Sequence, residues 1–218
     1  MFEKLGKWLW RLLLVYLALL VLESAAGVAV IVALSGPADA DLTGMQQSAA
    51  TSGLLTMGYT GYGQFAVFIV IVVLFLRLLY KAVQRAKSFA VPFTEVSPGW
   101  AVGYWFVPFL NLYRPFQVVK ALFAAITQEA GPMAKPAAGE QLLSAWWAMF
   151  LISNAAGWAL SRSDSDFNSR AGITTYAEYS IGCNLLLIAG TVLFSLVIKR
   201  LVLAMGSTGH ATTLPGGT

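Results

Sequence analysis

The stretch that decides the fold is SPGWAVGYWFVPFLNLYRPFQ, residues 97–117. Its centre, residues 100–110, is too apolar for a loop in water. It is also too short to cross a bilayer, since a helix needs about 20 residues, at roughly 1.5 Å each, to span a hydrocarbon core about 30 Å thick. Pro108, Asn111, Arg114 and Pro115 interrupt it further. In a continuous helix Pro108 would remove one backbone hydrogen bond and crowd the carbonyl of Tyr104. What the segment does depends on what flanks it.

Four longer apolar stretches surround it, at 12–34, 56–79, 142–160 and 179–198. Each has the length of a membrane-crossing helix. Composition agrees: of 218 residues 58% are hydrophobic and 11% charged, against about 25% charged in soluble domains. The expected fold is an all-α integral membrane protein with four transmembrane helices. Lys4, Lys7 and Arg11 before the first stretch resemble a signal-peptide start, and Ser24-Ala25-Ala26 loosely imitates a cleavage site. The apolar run continues to Leu34, longer than a signal core of about 7–15 residues, so an uncleaved helix is the preferred reading.

The basic residues set the orientation. With the N-terminus inside, twelve of the fourteen Lys and Arg fall on the inner side, and only Arg162 and Arg170 fall outside, beside Asp39, Asp41, Asp164, Asp166 and Glu178. Such a bias places basic loops in the cytoplasm. Both termini are then cytoplasmic and the expected location is the cell (plasma) membrane. The formal charge of +4 is accounted for by this asymmetry, and nucleic acid is not an expected partner.

A full crossing by residues 99–113 would move Arg114, Lys120, Lys135, Lys199 and Arg200 to the outside. The segment therefore reads as re-entrant, entering and leaving on the cytoplasmic side. Pro115 suits a first helical position, and Phe116, Val119, Phe123 and Ile126 recur at helical spacing. Residues 115–130 read as an amphipathic helix along the inner interface. Trp8, Trp10, Tyr80, Trp100, Tyr113, Trp146 and Trp147 fit an inner aromatic belt, and Tyr59, Tyr62, Trp158, Tyr176 and Tyr179 an outer one. Residues 1–205 form one helical membrane domain, and the tail 206–218 reads as disordered.

The same residues carry a resemblance. Pro98, Gly99, Trp100, Ala101, Pro108, Asn111, Arg114, Pro115 and Gln117, followed by Trp146-Trp147, resemble the pattern of a bacterial membrane-protein family called domain of unknown function 4328. The resemblance implies multi-pass membrane residence. It supplies no activity, ligand, cofactor or catalytic residue, and it does not reach the first apolar stretch with Glu23.

Two places stand out chemically. Glu23 lies mid-way along the first stretch, where a charge costs about 3 kcal/mol on insertion scales and usually faces a helix-bundle interior or a cavity. It reads either as a proton- or cation-responsive site, with Asn154 or Asn184 as neighbours, or as packing glue next to Ser24, Ala25, Ala26 and Gly27. Arg114, with Asn111 and Trp100 in the same motif, precedes a Pro-initiated helix. A guanidinium there suits an anionic lipid head group, against the plainer reading of an arginine that snorkels to the interface.

Other chemistry finds less support. MGYTGYGQF at 57–65 lacks one residue of a potassium-filter TVGYG and has no return loop, so it reads as a flexible Gly-Tyr interface. Arg77, Lys81, Arg85 and Lys87 read as an orientation anchor. Cys183 is the sole cysteine and His210 the sole histidine, short of the three or four protein ligands zinc takes. Neither a metal, a cofactor nor a catalytic residue is expected, and the protein is expected to be no enzyme. The leading expectation is a membrane component that binds lipid, a protein partner or a second copy of itself. The alternative is a small transporter or ion/proton conduit using Glu23 and the broken segment around Pro108.

Overall fold

A computed structural model describes residues 2–36, 43–90, 92–131, 139–162 and 169–207. Lys135, Asp39, Asp41, Asp164, Asp166, His210 and the tail from 208 onward lie outside the described residues. Among those described the chain is helical throughout, without strands: α1 (Phe2–Leu34), α2 (Gly44–Ala86), α3 (Pro98–Gly103), a 3-10 turn η1 (Leu110–Leu112), α4 (Arg114–Glu129), α5 (Glu140–Leu160) and α6 (Arg170–Ser207).

Three of these helices are long and apolar enough to cross a membrane: Phe2–Leu34, Gly44–Ala86 and Arg170–Gly206. The stretch expected at 142–160 does form one helix, α5. Trp146, Trp147, Trp158, Ser153 and Asn154 dilute its apolar character, and α5 is not among the three.

The starts of α2 and α6 lie further out than the apolar stretches, at capping residues that hydropathy does not show. Before α2, the Thr43 hydroxyl accepts from the Gln46 N–H at 3.3 Å, while the Gln46 carboxamide oxygen accepts from the Thr43 N–H at 3.0 Å. This reciprocal pair satisfies donors that a helix start leaves open. Before α6, Ser169 accepts from the Gly172 N–H at 3.0 Å. MGYTGYGQF is consequently helical, lying inside α2, and not the flexible interface expected of its glycines.

The chain divides into two compact units, one of Met1–Leu12, Val70–Ala148 and Val192–Thr218, the other of Leu13–Ile69 and Met149–Thr191. α1, α2, α5 and α6 each contribute a segment to both. All eleven described basic residues expected on the inner side belong to the first unit, and Arg162 and Arg170 belong to the second.

In the first unit Leu78, Leu79, Ala82 and Val83 of α2 are fully buried together with Leu122, Leu143, Val197 and Leu201. Val118, Val119, Leu122, Phe123 and Ile126 of α4 are all buried. The apolar stripe assigned to the membrane interface is thus covered by protein. Trp146 and Trp147 are likewise only 4% and 7% exposed, so they belong to the core and not to an aromatic belt, which needs exposed rings.

In the second unit Ala26, Val30, Leu34, Ala50, Met57 and Ala177 form the core. A β-carbon on Gly27 would meet Ile181 at 3.1 Å, and one on Gly53 would meet the Ala26 carbonyl at 3.2 Å and the Val30 side chain. Small residues let these backbones approach closely.

Candidate functional site

Residues 97–117 begin with a cap. The Ser97 hydroxyl accepts from the Trp100 N–H at 3.3 Å, and Pro98 fills the first turn of the six-residue α3. The chain then proceeds by local turns, with Trp105 N–H to Val102, Phe106 N–H to Gly103 and Asn111 N–H to Val107. At the centre the Leu110 N–H donates to the Pro108 carbonyl at 2.8 Å, across Phe109 at φ 65°, ψ −45°. That is a three-residue γ-turn of the rarer, strained hand. Phe109 is the one described residue other than glycine with positive φ. No continuous helix runs through 99–113.

Aromatic rings hold the segment in the first unit. Trp105 meets Phe75 edge-on at 5.3 Å and Trp147 at 5.9 Å, while Phe116 stacks on Trp147 at 6.1 Å. Phe75 also meets Phe194 at 5.1 Å, and Phe194 stacks on Trp146 at 5.6 Å. The Trp147 indole N–H donates to the Leu112 carbonyl at 3.0 Å. The Trp146-Trp147 pair of the motif is the clamp on the broken segment. Phe106 and Phe109 point the other way, 70% and 81% exposed.

Of the three residues expected to form a head-group site, Trp100 and Arg114 share a neighbour in Tyr104. Trp100 lies 5.5 Å from Tyr104, and the exposed Arg114 guanidinium sits 5.8 Å from the Tyr104 ring and 5.7 Å from Tyr113. Arg114 donates to the Gln117 carboxamide oxygen at 3.4 Å and forms no ion pair among the described residues. The Asn111 Oδ1 is buried without a hydrogen-bond partner. Tyr104 is the residue the sequence reading missed, one helical turn beyond Trp100. A cavity of about 50 Å³ beside Arg114 is lined by Glu95, Val96, Tyr104, Gln117, Val118 and Ala121.

The second place lies in the other unit. The Gln64 carboxamide N–H of α2 donates to the Glu23 carboxylate of α1. Asn184 of α6 stands close enough to bear on the same carboxylate, although its Nδ2 is outside hydrogen-bonding geometry and has no other partner. Gln64 is 8% and Asn184 4% exposed. Asn154, the other expected neighbour, donates to the Phe150 carbonyl of its own helix at 2.7 Å. Gln64 went unnoticed in the sequence, although it is the carboxamide that immediately precedes the apolar run FAVFIVIVVLFL. Glu23 lines neither the 50 Å³ cavity nor one of about 530 Å³ bounded by Gly36, Arg170, Ala171, Thr174, Thr175 and Glu178.

An all-helical chain with three helices of membrane-crossing length and apolarity is the class this fold defines. Within that class the chain belongs to the family described as Domain of unknown function (DUF4328), whose model matches residues 41–202. The matched span includes Gln64, Asn184 and the whole of 97–117, and excludes Glu23. No curated protein and no solved structure matches the chain.

Proposed function

We propose that the chain is a multi-pass protein of the plasma membrane with both termini cytoplasmic. Four helices cross, at 12–34, 56–79, 142–160 and 179–198, and residues 99–113 enter and leave on the cytoplasmic side. The exposed Phe106 and Phe109 support this, since acyl chains accommodate bare rings and water does not. The grouping of eleven basic residues with the hairpin in one unit supports the orientation. The end of α2, α4 and the start of α5 also belong to that unit, as expected of a chain that returns where it entered. α5, with 21 residues, reaches about 30 Å at roughly 1.5 Å per residue, enough for the fourth crossing.

On this reading the protein is a non-enzymatic membrane component whose Trp100–Tyr104–Arg114 face holds an anionic lipid head group. The observation that carries it is Arg114: an exposed guanidinium flanked by two tyrosine rings and without a carboxylate partner among the described residues. The head group lies on the exposed face of the guanidinium, between the two rings. Arg114→Gln should lower the anionic lipid that co-purifies by about fivefold, the equivalent of the roughly 1 kcal/mol a basic residue contributes at an anionic surface. Lys120→Gln on the exposed side of α4 should change it little. Equal lipid content in wild type and Arg114→Gln would refute the site.

The second reading, a small conduit or transporter, is favoured by one observation: a carboxylate met by two buried carboxamides from other helices.

A further inference from the structure

We propose that Glu23, Gln64 and Asn184 form a proton-binding site inside the membrane, where the Glu23 carboxylate takes a proton from hydronium and returns it to water. The inference rests on the reading of α1, α2 and α6 as crossing helices. In atoms, the carboxylate and hydronium give the carboxylic acid and water; nothing else is consumed.

The partners carry the argument. A carboxylate buried beside arginine or lysine is held charged, and one buried among leucines is held neutral. Glu23 has neither: it makes no ion pair among the described residues, and its neighbours from α2 and α6 are carboxamides. A carboxamide has two N–H donors on one side and an acceptor oxygen on the other. With Glu23 charged, Gln64 donates to it. With Glu23 protonated, half a turn of the same carboxamide offers the oxygen to the new O–H. Both states are satisfied by one side chain, which is what reversible proton uptake needs. The other titratable groups that face Glu23 are Tyr16 on its own helix and Cys183 on α6, so no fixed charge opposes either state.

The second observation is the Nδ2 of Asn184, in a residue 4% exposed, which stands beside the Glu23 carboxylate and has no other partner. A buried donor calls for an acceptor, and the Glu23 carboxylate is the one at hand. Other buried polar side chains stand on the same helices and on α5. Ser180, Asn184 and Thr191 share one face of α6, Thr60 and Gln64 share one of α2, and the Ser153 Oγ of α5 is also buried and unpartnered.

The test is infrared difference spectroscopy on the full chain in lipid nanodiscs, between acid and alkaline pH, in H2O and D2O. The expected result is a carboxylic C=O band that grows on acidification while a carboxylate band falls, and that shifts in D2O. Glu23→Gln should abolish it. Glu23→Asp should keep it at a changed frequency, which secures the assignment if the glutamine variant is not recovered. Gln64→Leu and Asn184→Leu should each move its titration along the pH axis. The proposal is overturned by a band that pH does not alter, by one that survives Glu23→Gln, or by one that sodium removes at constant pH, which would mark a metal-cation site. A chain that remains in solution without lipid or detergent would sink the membrane reading separately, whatever the spectra show.

Discussion

The indole N–H of Trp147 reaches the Leu112 carbonyl at 3.0 Å, joining α5 to the last turn of the broken segment. Its ring simultaneously meets Trp105 and Phe116. One side chain therefore grips the segment before and after the Phe109 turn. Trp147→Phe keeps ring packing and removes the hydrogen bond, and should lower stability by about 1 kcal/mol. Trp147→Ala removes both and should cost about 3–5 kcal/mol. Thermal unfolding in detergent checks the order; equal midpoints for all three proteins would show that the clamp bears no weight.

Phe109 combines strain with exposure. Its positive φ costs about 1–3 kcal/mol, and glycine adopts that backbone freely. Phe109→Gly should therefore raise thermal stability in detergent by about 1 kcal/mol, after the entropy lost by glycine is deducted. In bilayers the same change should weaken quenching of nearby tryptophans by brominated acyl chains, because the tip has lost a ring. A stability gain without weaker quenching would remove Phe109 from the lipid contact.

The α1–α2 approach depends on Gly53. Its absent side chain faces the Ala26 carbonyl and Val30, and Val30 has little rotamer freedom in a helix. Gly53→Ala should destabilise by about 1–3 kcal/mol, as overpacking does, despite alanine's better helix propensity. Gly58→Ala, at an open position of the same helix, should be neutral or mildly stabilising. Reversed signs in a thermal comparison would contradict the packing described for α1 and α2.

The sequence discloses local features and conceals long-range ones. Pro98, Pro108 and Pro115 mark the breaks and starts around the broken segment, because proline acts on its own backbone. The amphipathic period of α4 is equally visible, but periodicity names a buried face without naming its cover, and the cover is protein. The true starts of α2 and α6 are legible in Thr43-x-x-Gln46 and Ser169, capping signals that a hydropathy window passes over. Gln64 pairs with Glu23 across 41 positions, a distance that no local pattern specifies. The Trp146-Trp147 pair looks interfacial in sequence because tryptophan suits both a belt and a core, and only its 4% and 7% exposures decide.

The central claim is that the chain enters and leaves at residues 99–113 on one side of the membrane. The direct measurement is labelling of single cysteines, in a Cys183→Ala background, with a membrane-impermeant maleimide on intact cells. Glu95→Cys before the hairpin and Lys120→Cys after it should both resist the reagent until the membrane is permeabilised, while Arg162→Cys should react from outside. Labelling of Lys120→Cys from outside, with Glu95→Cys still protected, would mean that the segment crosses, and would contradict the account.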